Sequence, residues 1–188
     1  MHKLSPITAL GGTNARREAI GALTITEVPD VALASLALRS GQGAAVTKAA
    51  KKLFGVALPG PGGMVASAPW TLFWTAPDQW FVEAPMASHE DIAAHLKSGF
   101  GSAASITEQS GGWARFDLEG TSAVDALERL SAANSRQMQA GQATRSSIEH
   151  LGCYLLCRAA GQHFSIYGPR SSAQSLHHAL CQAAEVLV

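Results

Sequence analysis

From Trp113 to Glu119 apolar and polar residues alternate: Ala114, Phe116 and Leu118 share one face, and Arg115, Asp117 and Glu119 share the other. Successive side chains of a strand point to opposite sides, so this pattern predicts a strand with one face on a core. Gly120 ends it, and Ala123, Val124, Leu127 and Leu130 then recur at helical spacing, predicting a helix over 121–131. Ser122 and Asp125 stand at the spacing of a capping box, which would supply acceptors for the orphan N–H groups of the first turn.

The same units recur along the chain. Ala22 to Val28 has the composition of a strand closed by Pro29-Asp30, and Ser35 to Arg39 that of a second, closed by Gly41. A helix is predicted from Gln42, with Val46, Ala49, Ala50, Leu53 and Phe54 inward and Lys48, Lys51 and Lys52 in solvent. Residues 56–64 are too rich in Pro and Gly for a regular element. Trp70 to Trp74 and Trp80 to Ala84 are expected to pair about the turn Ala76-Pro77-Asp78-Gln79. Ser88, at capping distance from Asp91, then opens a helix that buries Ile92, Ala93 and Leu96 and stops at Gly99. After the 113–131 unit comes a loop with Gly141, then a hairpin of Tyr154 to Arg158 with Phe164 to Tyr167. A last helix follows, capped by Ser171 with Gln174, and buries Ala173, Leu176, Leu180, Ala183 and Leu187.

The second half answers the first with a shift of about 80 residues. Trp80-Phe81-Val82 corresponds to Phe164-Ser165-Ile166, Pro85 to Pro169, and Ile92 with Leu96 to Leu176 with Leu180. The expected fold class is α+β: duplicated β-α-β-β-α (ferredoxin-like) units packed as one domain over 21–188. The first half covers about 21–100 and the second about 104–188, after an extended N-terminal arm over 1–20. Hairpins in place of repeated βαβ crossovers separate this from a doubly wound sheet.

Charge narrows the function classes. Lys and Arg number 14, as do Asp and Glu, and a chain without a basic excess is a poor collector of phosphates, so nucleic acid is not an expected partner. Three cysteines do not make a disulfide framework. The start MHKLSPITALGG has no apolar signal region and no run is long enough to span a bilayer, which points to the cytoplasm rather than a membrane. Only 15% of residues are charged against 47% apolar, a surface suited to large contacts with other subunits and to self-association when isolated.

Chemical signatures are sparse. Gly41-Gln42-Gly43 opens a helix after a strand, but Val46 stands where a dinucleotide fingerprint needs its third glycine, so a tight turn accounts for it better. Cys153 and Cys157 share a strand face too far apart for a disulfide and are expected as buried thiols. His177, His178 and Cys181 have ligand spacings on a helix, yet no third protein ligand is evident for a catalytic zinc. His163 opens a strand as a surface or edge residue. No G-x-S-x-G, H-E-x-x-H or P-loop occurs, and the carboxylates form no recognisable pair. No catalytic, cofactor-binding or metal residue is therefore assigned. Trp70, Trp74 and Trp80 gather on one hairpin, and with Arg16 and Arg17 of the arm they are the candidate partner interface.

Taken together, the residues resemble the gamma subunit of the heterotetrameric sarcosine oxidases from Ser5-Pro6 to the last helix. The similarity rests on Ser35-Leu36-Ala37-Leu38-Arg39, Phe54-Gly55, Leu58-Pro59, Trp74 with Pro77-Asp78-Gln79-Trp80, and Thr107-Glu108-Gln109-Ser110 with Trp113. Gly120 with Leu127 and Leu130, Phe164, Tyr167-Gly168 and Arg170-Ser171 complete it. Gly111-Gly112 stands where that family often has an acidic residue after the Gln-Ser pair, which puts that contact in doubt. Residues 107–152, with Asn134 and Gly141, are more distantly similar to the folate-binding fold of aminomethyltransferases, itself built of two related halves. The resemblance implies a non-catalytic accessory subunit, partnered by alpha, beta and delta subunits that hold FAD, FMN, NAD and tetrahydrofolate. That assembly oxidises sarcosine to glycine and passes the methyl carbon to tetrahydrofolate or releases it as formaldehyde. The alternative is a free-standing folate-binding or aminomethyltransferase-like protein.

Overall fold

The structure is a computed structural model that describes residues 6–188. The first five residues of the expected arm, Ser5 among them, lie outside the described residues. In chain order the strands and helices begin with β1 (Arg17–Ile20), β2 (Leu23–Glu27), β3 (Val31–Leu38) and α1 (Gly43–Phe54). Next are β4 (Met64–Ser67), β5 (Trp70–Ala76), β6 (Gln79–Pro85), α2 (Ile92–Phe100) and β7 (Ala104–Glu108). The rest are β8 (Trp113–Gly120), α3 (Ala123–Leu130), β9 (Gln142–Ile148), β10 (Leu151–Ala159), β11 (His163–Pro169) and α4 (Ala173–Glu185). The protein is α+β, with two antiparallel sheets and, among the described residues, four α-helices.

Two compact units divide the chain, and neither is a continuous segment. One contains the residues up to Pro29, Gly112–Ala140 and Arg145–Val188. Its sheet runs β1-β2-β8-β11-β10-β9. Leu23, Ile25, Phe116, Leu118, Leu155, Phe164 and Ile166 line one face of that sheet and bury against Leu127 of α3 and Leu176 and Leu180 of α4. The expected alternation of β8 is observed: Ala114, Phe116 and Leu118 are all in this core.

The other unit is Asp30–Gly111 with Gly141–Thr144, and its sheet runs β4-β5-β6-β3-β7. Ala34, Leu36, Leu72, Val82 and Ile106 pack on Val46, Ala50 and Phe54 of α1 and on Ile92, Leu96 and Phe100 of α2. The order β7-β3-β6-β5, all antiparallel, is that of a split βαβ sheet with β4 added at one edge. In the first unit β2-β8-β11-β10, with β9 at the edge, repeats the order.

One feature of this order was not expected. β2 precedes β3 in the chain but pairs with β8, while β7 precedes β8 but pairs with β3. Each sheet is thus completed by the strand that leads into the other. A division of the chain between residues 100 and 104 separates both β2 and β7 from the sheets they join.

Several local expectations change. β4, β7 and β9 form where the sequence pattern predicts no strand, and β3 begins at Val31 rather than Ser35. Ser88 does not cap α2: Asp91 does, its carboxylate accepting from Ala94 N–H at 3.0 Å, and the helix runs past Gly99 to Phe100. The Ser122–Asp125 box does not form, and neither Ser171 nor Ser172 caps α4, which starts after a 3₁₀ turn at Arg170–Ser172. The arm is not simply extended. Residues 17–20 form β1, and Thr8 and Gly12 close a turn through Thr8 N–H to Gly12 C=O at 2.9 Å. Glu27, only 2% exposed, pins this segment, its two carboxylate oxygens accepting from Leu10 N–H at 3.0 Å and Arg16 N–H at 3.2 Å.

Gly120 turns β8 toward α3 at φ +136°, and a Cβ there would overlap the carbonyl oxygen of Ala22 in the β1–β2 turn. Backbone on both sides leaves no flexible atom to give way. Gly120→Ala is expected to cost about 3 kcal/mol or more, read from the midpoint of urea unfolding.

Candidate functional site

Charged groups gather on the polar face of β8 in the first unit. Arg115 and Asp117, two residues apart, lie on the same side of the strand, and Ser165 of β11 stands opposite Asp117 in the register. Arg115 grips Asp117 in a fork, Nε to Oδ1 at 2.8 Å and Nη2 to Oδ2 at 2.7 Å. Ser165 donates its hydroxyl to Oδ1 at 2.7 Å and accepts from Arg158 Nε at 2.9 Å. His163 Nε2 lies 3.3 Å from Oδ2. The side chains of Arg115 and Asp117 are only 13% exposed.

Burial alone would raise the Asp117 carboxyl; the hydrogen bonds and charge of Arg115, then the Ser165 hydroxyl and the charge of His163, outweigh it and hold the group below its ordinary value. A carboxylate engaged at both oxygens and held acidic is a poor proton acceptor. The row is suited to fixing strand register and side-chain orientation, not to general-base chemistry. The sequence offered a signal here, since a polar strand face next to a buried Ser is visible in the alternation. The partner of Asp117 across the strands was not.

A second feature is a pocket of about 500 Å³ beside β1 and α4. Arg16, Glu18 and Ile20 line one side, and His177, Cys181 and Glu185 line the other. Arg16 Nε donates to Glu18 Oε1 at 2.8 Å. His177 is 6% exposed, and burial, then Arg16, lowers its tendency to protonate. The Cys181 thiol, 3.7 Å from His177 Nε2, is pushed up by burial and by Glu18. That is a protonated thiol beside a neutral imidazole, not an activated nucleophile.

The residues singled out from sequence fall in different places. Trp70 is 6% exposed, in the core of the second unit, where its ring meets Phe54 at 5.2 Å and His89 at 4.4 Å, so it offers little surface to a partner. Trp74 and Trp80 face each other across β5 and β6, both half-buried, and Trp80 Nε1 donates to Pro59 C=O at 2.8 Å. Arg16 and Arg17 are exposed, the first on the pocket and the second on β1. The structure does not gather these five into one patch within either unit. Cys153 and Cys157 are buried in the first unit's core, and burial pushes the Cys153 thiol up to about 11. Among the described residues no cluster of three or more His, Cys, Asp or Glu could hold a metal ion, His177, His178 and Cys181 included. Gly41, at φ +73°, makes the turn into α1, and Val46 fills the core at the position a third glycine would need. Among the described residues no helix is long and apolar enough to cross a membrane.

Asp117→Asn keeps the shape and removes the charge. Because the folded carboxyl titrates below its unfolded value, the stability it contributes is complete above the ordinary 3.8 and is lost as pH falls through the lower folded value. The variant should be less stable by about 2 kcal/mol at neutral pH, and the gap should close in acid. Urea unfolding of both proteins across an acid series checks this, and a gap independent of pH would refute it.

No family model matches the sequence, and no curated protein matches it. Solved structures do. The chain is similar to the heterotetrameric sarcosine oxidase from Corynebacterium sp. U-96, solved in complex with pyrrole 2-carboxylate, at a TM-score of 0.75 and 22% identity over 89% of this chain and 86% of that one. It is also similar to aminomethyltransferase T of the glycine cleavage system from Bartonella henselae, at a TM-score of 0.55 and 13% identity, covering 82% of this chain but 44% of that one. The chain therefore has the fold of a sarcosine oxidase chain along nearly its whole length, and spans less than half of the aminomethyltransferase to which it is more distantly similar.

Proposed function

We propose that this protein is the gamma subunit of a heterotetrameric sarcosine oxidase, acting through contact with its partners and not through chemistry of its own. The likeness to a sarcosine oxidase chain, which runs nearly end to end in both proteins, carries this reading. The sequence motifs point the same way independently, from Ser35-Leu36-Ala37-Leu38-Arg39 to Tyr167-Gly168. The saturated Asp117 row and the protonated Cys181 thiol favour a supporting role over an acid–base or nucleophilic one. On this reading alpha, beta and delta subunits carry the FAD, FMN, NAD and tetrahydrofolate, and the complex works in the cytoplasm. The repeated strand order of the two sheets supports an origin by internal duplication.

Two measurements test the proposal. Tagged chain purified from its native cell should bring with it flavin-bearing subunits that oxidise sarcosine, whereas the chain alone should turn over none. Sarcosine oxidation by the isolated chain would overturn the non-catalytic role. Titration with tetrahydrofolate separates the alternative, because saturable binding without any flavoprotein partner would favour a folate-binding protein.

A further inference from the structure

The first unit's sheet ends at β1, and the pairing of β1 with β2 determines which of its backbone groups are spoken for. Glu27 N–H donates to Arg16 C=O at 2.8 Å, so Arg16 and Glu27 are a bonded pair in the antiparallel ladder. The register Arg17↔Thr26, Glu18↔Ile25, Ala19↔Thr24 and Ile20↔Leu23 then makes Glu18 and Ile20 bonded residues as well. Arg17 and Ala19 turn their N–H and C=O groups away from β2, toward the open edge. Among the described residues no hydrogen bond reaches those four groups.

The same alternation sends Arg16, Glu18 and Ile20 to one side of the strand, and these three line the pocket whose far wall is α4. A further strand laid along β1 would extend the sheet in its own plane, about 4.8 Å beyond β1, with one face on the side of the pocket. Every second side chain of that strand would enter the pocket. Main-chain bonds to Arg17 and Ala19 would supply affinity, and the pocket would choose the side chain. The lining charges indicate which side chain. Arg16 is already matched by Glu18 at 2.8 Å, and among the described residues Glu185 has no cationic partner. His177, buried and lowered from its ordinary 6.5, adds no positive charge at neutral pH. Two carboxylates, Glu18 and Glu185, thus line the pocket against one arginine, with the exposed His178 on α4 as its other ionisable group besides Cys181.

We propose that the β1 edge takes an extended segment of a partner subunit as an added strand, with a lysine or arginine of that segment entering the pocket toward Glu185. This rests on the gamma-subunit reading and names the surface through which the contact is made. Ala19→Pro is the selective probe: its N–H points outward, so proline leaves the β1–β2 ladder whole while removing a donor and obstructing the edge.

The test compares complexes purified from the native cell with wild-type, Ala19→Pro and Glu185→Gln chains. Thermal unfolding of each isolated chain serves as the control for folding. Docking at this edge predicts slowed amide hydrogen exchange at Arg17 and Ala19 in the complex, about tenfold weaker assembly for Ala19→Pro, and about fivefold weaker assembly for Glu185→Gln. A complex that forms with those amides still exchanging freely, and equally well with both variants, overturns the docking site and leaves the gamma-subunit reading standing. A wild-type chain that brings down no sarcosine-oxidising partner overturns both. A dimer of this chain alone, lost in Ala19→Pro, would make a second copy the occupant and overturn the proposed partner.

Discussion

Neither sheet can be completed from its own half of the sequence, and that constraint shapes the rest of the molecule. β8 has β11 on one side and needs β2 on the other; β3 has β6 and needs β7. The missing neighbour brings more than hydrogen bonds. β2 contributes Leu23 and Ile25 to the core beneath α3 and α4, and β7 contributes Ala104 and Ile106 to the core beneath α1 and α2. Burying such side chains stabilises each core by about 1.5–3 kcal/mol apiece for the larger ones. A half-sheet lacking its leading strand would lose that burial and expose a central strand as an edge. Small apolar cores close poorly alone, and the exchanged strands supply what each lacks.

With the helix-side cores settled, the polar faces carry the individuality of the units. In the first, Asp117 is held at the centre of a sheet by Arg115 and Ser165, with His163 Nε2 3.3 Å away, an arrangement that fixes the register of β8 against β11 because a one-residue slip would move every member to the wrong side. Glu27 does similar work at the sheet's margin, holding the turn at Thr8–Gly12 and the entry to β1 by two backbone N–H groups. Both carboxylates are consumed by structure. At the periphery, by contrast, the outward backbone groups of Arg17 and Ala19 accept and donate no hydrogen bond among the described residues, and Glu185 stands across the pocket.

Much of the fold was legible in the chain. The β8 alternation, the α1 stripe of Val46, Ala50 and Phe54, both hairpins, and the paired prolines Pro85 and Pro169 at the ends of β6 and β11 follow from period and punctuation. The motifs that resemble a sarcosine oxidase gamma subunit were readable too, because order and spacing survive in a linear string. Edge strands β4 and β9 were not, since Met64–Ser67 and Gln142–Ile148 have only one neighbour within their sheets and need no strong alternation.

What the sequence determined by itself is therefore local: which stretches alternate, which face of each helix is apolar, and where glycine and proline stop them. Tertiary structure alone decided which strand joins which sheet, because pairing brings together residues far apart in the chain, Leu38 with Ala104 and Leu23 with Gly120. It also decided that Trp70 is core and not surface, since strand alternation tells which side a residue faces but not what covers that side. The pocket beside β1 belongs to the same class. Its walls come from residues 10–20 and 174–185, and no spacing in a chain records that two distant segments have been brought to face each other.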